Sequence, residues 1–327
     1  MKVLVTGSSG HLGEALVRLL GTTGHEVSGL DLLPGRYTNL VGTITDRRFL
    51  RDGLQGVDSV IHTATLHKPH VASHDRQSFV DVNITGSLNL LEEAVSAGVK
   101  SFVFTSTTSA FGAALTPPED APAAWIDESV QPVPKNIYGA TKTAAEDLCQ
   151  LFHRDHGLNC VVLRTSRFFP EEDDSRAVRE TYADANIKAN EFLYRRVDLE
   201  DVATAHIAAL ARAGEIGFGR YIISATTPFE TCDLKELRHA PAKVVQQHFP
   251  DFPEVYARLG FRMFSAIDRV YVNARARRDL GWKPQYDFAR ILAQIASGKP
   301  IGSGLAREVG SKGYHAETYR EGPYPVA

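Results

Sequence analysis

Val3-Leu-Val-Thr-Gly-Ser-Ser-Gly-His-Leu-Gly13 is the stretch whose reading decides the fold. Val3 to Val5 is a short apolar run of buried-strand type. After the glycine turn, Leu12, Ala15, Leu16, Leu19 and Leu20 return at helical spacing. Gly21 and Gly24 stop that helix and Val27 to Leu30 begin the next strand, so a βαβ unit closes within about 30 residues. Gly7 permits the tight turn, Gly10 lets the backbone approach a pyrophosphate, and Gly13 lets the helix pack close. Free N–H groups at the helix start face phosphate oxygens. Ser9, His11 and Leu12 complete the expected contacts of this loop. Glycines alone are a weak signal; a strand before them and a helix after them make this a dinucleotide site.

Working outward, Asp31 ends the second strand 18 positions after Gly13. A carboxylate there accepts from both ribose hydroxyls and repels a 2′-phosphate, which selects NAD over NADP. Arg36 argues the other way, and reads as a solvated loop charge. Val57 to His62, Ser101 to Thr105 and Asn159 to Leu163 read as further strands, with helices near Phe79 to Ala97 and Thr141 to His156. A helix over Asp201 to Ala211 and a strand over Tyr221 to Ser224 follow the 168–174 loop. The pattern predicts an α/β fold: a Rossmann-type, doubly wound parallel sheet with a smaller C-terminal substrate-binding lobe. The expected division is 1–165 with 198–226 for the NAD-binding domain, 166–197 and 227–300 for the substrate-binding lobe, and 301–327 for a polar tail.

Composition narrows the class. The 327 residues are 43% hydrophobic and 23% charged, an ordinary globular balance. A net charge of -3 offers nothing to nucleic acid or an anionic membrane, so neither partner is expected. Cys149, Cys160 and Cys232 are odd in number and widely spaced, as for thiols of a reducing compartment. With no apolar run near the ~18 residues that span a bilayer, and no apolar segment after Met1-Lys2 of signal-peptide type, a cytoplasmic location is expected.

Tyr138-Gly-Ala-Thr-Lys142 carries the chemistry. At i and i+4 of a helix the phenol and the ammonium project from one face. A neighbouring ammonium favours phenolate and brings Tyr138 toward general acid/base work on a hydroxyl or carbonyl. Phe102-Val-Phe-Thr-Ser-Thr-Thr-Ser109 delivers hydroxyls to a strand's C-terminal end, where open α/β sheets bind ligands.

Together these motifs resemble the extended branch of the short-chain dehydrogenase/reductases, the group of UDP-galactose 4-epimerase, sugar-nucleotide dehydratases and related reductases. The resemblance covers about residues 1–225 well and the rest loosely. It implies that Thr6 to Gly13 is the dinucleotide loop and that Tyr138 and Lys142 are the catalytic pair. The family's catalytic Ser/Thr falls on Thr107, four residues before Phe111-Gly112, with Thr108 in reserve. His62, Thr63 and Ala64 resemble the segment under the nicotinamide ribose, Thr105 lies beside it, and Asn83 resembles the Asn behind the active site. The implied cofactor is NAD. Tyr138 moves the hydroxyl proton, Lys142 holds the ribose, and Thr107 orients the oxygen.

Departures shape the substrate. Thr108-Ser109 stands where dehydratases carry Asp-Glu. Gly42 is followed by Thr43, so Thr43 and Ile44 replace an Asp at the adenine. Arg167 occupies the place of a diphosphate-binding Asn, Tyr194-Arg-Arg-Val-Asp198 stands before Asp201-Val-Ala in place of an Arg-Asp-aromatic segment, and the uridine-binding Arg-Asp pair survives only as Arg262 with Ser265. Arg167 either forks onto an acidic substrate or pairs with the Glu171 to Asp174 loop. His67 or Lys68, after the fourth strand, either touches substrate or packs. His62, His67, His70 and His74 lack a third-ligand pattern, and no metal is expected. The expected activity is NAD-dependent hydride transfer at a hydroxyl or carbonyl of a sugar, sugar acid or sugar nucleotide. The alternatives are a nucleotide-sugar epimerase and a non-catalytic NAD sensor. A homodimer is expected through Leu148, Leu151 and Phe152.

Overall fold

The computed structural model describes residues 1–312. Among these residues nine strands run in chain order: β1 (Lys2–Thr6), β2 (Glu26–Asp31), β3 (Leu40–Val41), β4 (Ser59–His62), β5 (Ser101–Thr107), β6 (Ala124–Ile126), β7 (Asn159–Thr165), β8 (Phe218–Ile223) and β9 (Arg269–Tyr271). Seven form one parallel sheet in the order β3-β2-β1-β4-β5-β7-β8, and β6 pairs with β9 in a small parallel sheet of their own. The strand order reverses between β1 and β4, which opens a crevice above their C-terminal ends.

Both faces of the large sheet are apolar because successive strand residues point opposite ways. Val3 and Val5 meet the His11–Gly21 and Leu199–Ile216 helices on one side, with Ile61, Val103 and Val161. Leu4 points the other way, with Val60, Phe102, Phe104 and Val162, into the core shared with the Gly86–Ser96 and Ile137–His156 helices. A separate core gathers Phe192, Leu237, Val245, Phe252, Tyr256 and Phe288. This is the Rossmann-type doubly wound architecture that the alternation predicts.

Several elements differ from the sequence reading. The helix carrying Tyr138 starts at Ile137, not Thr141, because the Asn136 side chain caps it by accepting the Gly139 N–H at 3.0 Å. Tyr138 therefore sits in the first turn. The expected helix near Phe79 is built from Arg76–Phe79, a π-turn at Val80–Thr85 and Gly86–Ser96. β3, β6 and β9 are too short to show periodicity. The segment expected as a loose tail holds a helix, Gly304–Val309, whose Val309 joins the first core; residues 313–327 of that tail lie outside the described residues. Among the described residues, no helix is long and apolar enough to cross a membrane.

Candidate active site

The glycine turn works by close approach. Gly7 adopts a φ of 76°, and a Cβ on it would stand 2.6 Å from Thr63 Oγ1 and 2.8 Å from the Ala64 nitrogen. A Cβ on Gly13 would stand 1.9 Å from the Gly7 carbonyl oxygen. The bare backbone thus leaves a cradle at the start of the His11–Gly21 helix. It opens into a cavity of about 710 Å³ above the C-terminal ends of β1, β4, β5 and β7, within the usual size range of cofactor and ligand clefts.

Most of the expected cofactor and substrate residues line that cavity: Gly7, Gly10, His11, Leu12, Gly13, Asp31, Thr43, Ile44, Thr63, Ala64, His67, Thr105, Thr107, Thr108, Tyr138 and Arg167. Asp31 accepts the Ser9 and Leu33 backbone N–H groups at 3.0 and 2.9 Å, which holds its carboxylate at the rim in the place of a ribose diol partner. Glycine cradle, helix start and rim carboxylate fit NAD. Asp46 caps the Arg47–Gly53 helix by accepting the Phe49 N–H at 3.1 Å.

Four expected cofactor contacts lie behind the wall instead. Ser9 turns its hydroxyl to the Leu33 carbonyl and Thr38, bracing the Asp31 loop. His62 is buried between Thr6 and Ser87, at 2.7 and 3.1 Å, and burial drives its pKa down to about 3. Asn83 accepts the Leu66 N–H at 2.8 Å and donates to the Leu66 carbonyl and to Thr141 Oγ1, clamping the post-β4 loop onto the Ile137–His156 helix. Lys142 is buried with Nζ 4.0 Å from the Phe104 ring centroid, and burial pulls it down to about 7 against the opposing charge of Glu146. The facing of each depends on packing from other elements.

Tyr138 faces the cavity. Burial pushes its pKa up to about 12, and a hydrogen bond with Thr107 opposes the rise. Thr107 Oγ1 already accepts the Ser109 N–H at 3.1 Å, so its own proton is left for the phenol oxygen. The effect expected from the Lys142 ammonium on Tyr138 is replaced by this hydroxyl.

Arg167 resolves in favour of the loop: Nη1 lies 3.0 Å from Asp173 and Nη2 donates to the Glu172 carbonyl at 3.0 Å. Glu191 is fully buried beside it, and Arg195, Arg196 and Arg167 outweigh that burial to hold its pKa at about 2. Arg262 also turns away from the cavity, donating to the Thr181 carbonyl at 2.6 Å. Lys68 pairs with Asp174, and the His67 N–H donates to His70 Nδ1 at 3.1 Å. Among the described residues, no three His, Cys, Asp or Glu side chains gather as a metal-holding group. The sequence reading missed Lys135, Ser166, Arg195, Arg269 and Tyr271 on the wall. The doubled arginine before Val197 hinted at Arg195, whereas nothing local marked Arg269.

A parallel sheet with a glycine turn at its reversal point, and a phenol and hydroxyls over it, defines a dinucleotide-binding enzyme of the Rossmann class. The chain belongs to the NAD-dependent epimerase/dehydratase family, whose model matches residues 3–223, and it is an NAD-dependent enzyme. It is 30% identical over 319 residues to a UDP-glucose 4-epimerase of Mycolicibacterium smegmatis, covering 90% of this chain and 97% of that one. A 3-beta-hydroxysteroid dehydrogenase of Mycolicibacterium neoaurum is 25% identical over 338 residues, 90% of each chain. Among solved structures, a short-chain dehydrogenase/reductase superfamily protein of Agrobacterium tumefaciens with bound NAD superposes at a TM-score of 0.64 with 23% identity, covering 94% of this chain and 97% of that one.

Proposed function

We propose that this enzyme transfers hydride at a hydroxyl-bearing or carbonyl carbon of a sugar-derived substrate, as a dehydrogenase or reductase. The single observation that carries the reading is that Tyr138 and Thr107 stand together on the cavity wall, with the Thr107 hydroxyl opposing the rise of the phenol's pKa. Bound in the glycine cradle, NAD supplies the hydride acceptor. Tyr138 takes the substrate hydroxyl proton. Thr107 donates to the phenol oxygen, stabilising the phenolate and orienting the substrate oxygen. Lys142 stays behind the wall, packed on Phe104, and supports the helix that presents Tyr138. Thr108, His67 and Arg167 contribute the wall on which substrate rests, with 166–197 and 227–300 as the substrate-binding lobe. Hydroxyls of Ser109 and Thr116 beside Lys135 suit a polyhydroxylated substrate better than a steroid.

Epimerisation is the second reading, favoured by full-length relatives named UDP-glucose 4-epimerase. Arg262, turned from the cavity, weighs against a uridine end and toward the dehydrogenase. Absorbance at 340 nm with sugars, sugar acids and UDP-sugars tests both. Steady NADH formation lost in Tyr138→Phe supports the dehydrogenase; epimerised product without NADH replaces it with the epimerase.

The reading includes a cytoplasmic homodimer. Three unpaired thiols support a reducing compartment. Of the expected apolar stripe, Leu151 is exposed while Phe152 and Leu148 pack into the core. Light scattering on the NAD-loaded protein tests the dimer, and a monomer's mass removes it.

A further inference from the structure

Arg269 stands two residues before Tyr271 on β9, and alternate strand residues face one way, so both line the same cavity wall. The other strong cations there are held: Arg195 by Glu191 at 2.6 Å, Arg167 by Asp173 at 3.0 Å, Lys68 by Asp174, and Lys135 by the Thr116 hydroxyl at 3.0 Å. Arg269 has no carboxylate partner among the described residues, and its Nε is shut off from solvent with no hydrogen bond. What surrounds it is aromatic. Its Cζ lies 6.0 Å from the ring centroids of both Tyr194 and Tyr271. The ring faces attract the cation without taking its N–H groups. Ser166, on the same cavity, is also buried with an unpartnered Oγ.

A buried N–H donor such as Arg269 Nε, left with no acceptor, is costly unless a ligand completes it. The fork of Nε and one Nη matches two oxygens of a planar or tetrahedral oxyanion. We infer that Arg269 is the anion-recognition residue of the substrate site, taking a carboxylate or phosphoryl group of the substrate through that fork. The inference rests on the cavity being the substrate site, and it moves the anion contact expected at Arg167 onto β9. Lysine would not replace it, because an ammonium has no planar fork.

Calorimetric titration of the NAD-loaded protein tests this without turnover, using D-glucuronate, glucose 1-phosphate, UDP-glucose and neutral D-glucose as probes. At least one anionic probe is expected to bind at least about tenfold more tightly than glucose. That probe should lose about ten- to a hundredfold in Arg269→Met, with only partial recovery in Arg269→Lys. Loss confined to glucuronate identifies a carboxylate; loss with either phosphate compound identifies a phosphoryl group. NAD affinity and glucose binding should stay at wild-type values. The inference is overturned if every anionic probe binds Arg269→Met as it binds wild type, or none outbinds glucose. It is equally overturned if the variant loses NAD, since Arg269 would then merely hold the wall. Failure of hydride transfer would leave these isotherms unchanged, so the two readings fail separately.

Discussion

The Thr6 hydroxyl lies 2.7 Å from Nδ1 of His62, and that contact sets the direction of each proton beneath the cradle. Ser87 spends its proton on the Asn83 carbonyl at 2.7 Å, so it accepts from His62 Nε2. His62, neutral at a pKa of about 3, then has a bare Nδ1 and accepts from Thr6. Thr6 Oγ1 in turn receives the Thr63 and Ala64 N–H groups at 3.2 and 3.3 Å. A fully directed network thus pins the loop that touches Gly7.

That neutrality makes folding acid-sensitive. His62 titrates at about 3 and buried His206 at about 4 in the native state, against 6.5 when free. Their folded values are depressed, so the stability they contribute is complete above pH 6.5 and is lost as pH falls toward 3 to 4. Each contributes a slope of at most about 1.4 kcal/mol per pH unit in that window. Urea denaturation at pH 7 and pH 4.5 should show the loss, and His62→Gln should flatten it. A curve as steep in His62→Gln as in wild type contradicts the assignment.

Tyr138→Phe should lower turnover by roughly 10²- to 10⁴-fold while NAD fluorescence titrations stay unchanged. Thr107→Val removes the interaction that opposes the high Tyr138 pKa, so the ascending limb of the pH–rate profile for alcohol oxidation should move to higher pH. A limb that stays in place separates Thr107 from the phenol.

Gly13→Ala sets a methyl 1.9 Å from the Gly7 carbonyl oxygen, and should cost both NAD affinity and melting temperature. Gly21, in the same helix with nothing within 4 Å of its Cβ position, is the control: Gly21→Ala should be neutral or add up to about 1 kcal/mol. Equal behaviour of the two variants in a thermal melt with NAD would refute the close-approach account.

Glu146 is fully buried, accepting Ser106 Oγ at 2.5 Å and Arg164 Nη2 at 2.7 Å, with Arg220 Nε at 3.2 Å. Removing one partner of a buried pair strands the other charge, so Glu146→Leu should destabilise by about 3–5 kcal/mol in chemical denaturation. A loss under 1 kcal/mol would mean that water reaches Arg164.

Strand, turn and helix from β1 into the His11–Gly21 helix were legible because three glycines, a short apolar run and a helical repeat are contiguous. Tyr138 and Lys142 were legible as a pair for the same reason, being one helical turn apart. Their facing was not: Lys142 lies against Phe104 of β5, and no spacing within 138–142 encodes what packs there. Arg167 shows an intermediate case, since its Asp173 partner is near in sequence and was one of two readings left open.

By itself, then, the sequence determined the doubly wound sheet, the position of the dinucleotide turn and the hydroxyl-rich end of β5, all set by backbone conformation and periodicity within short segments. Only the tertiary structure decided that His62 is a buried neutral support, that Arg167 is neutralised, and that Arg269 reaches the cavity without a carboxylate partner among the described residues. Those outcomes depend on which side chains meet across segments far apart in the chain, where burial and charge pairing are settled by packing rather than by local pattern.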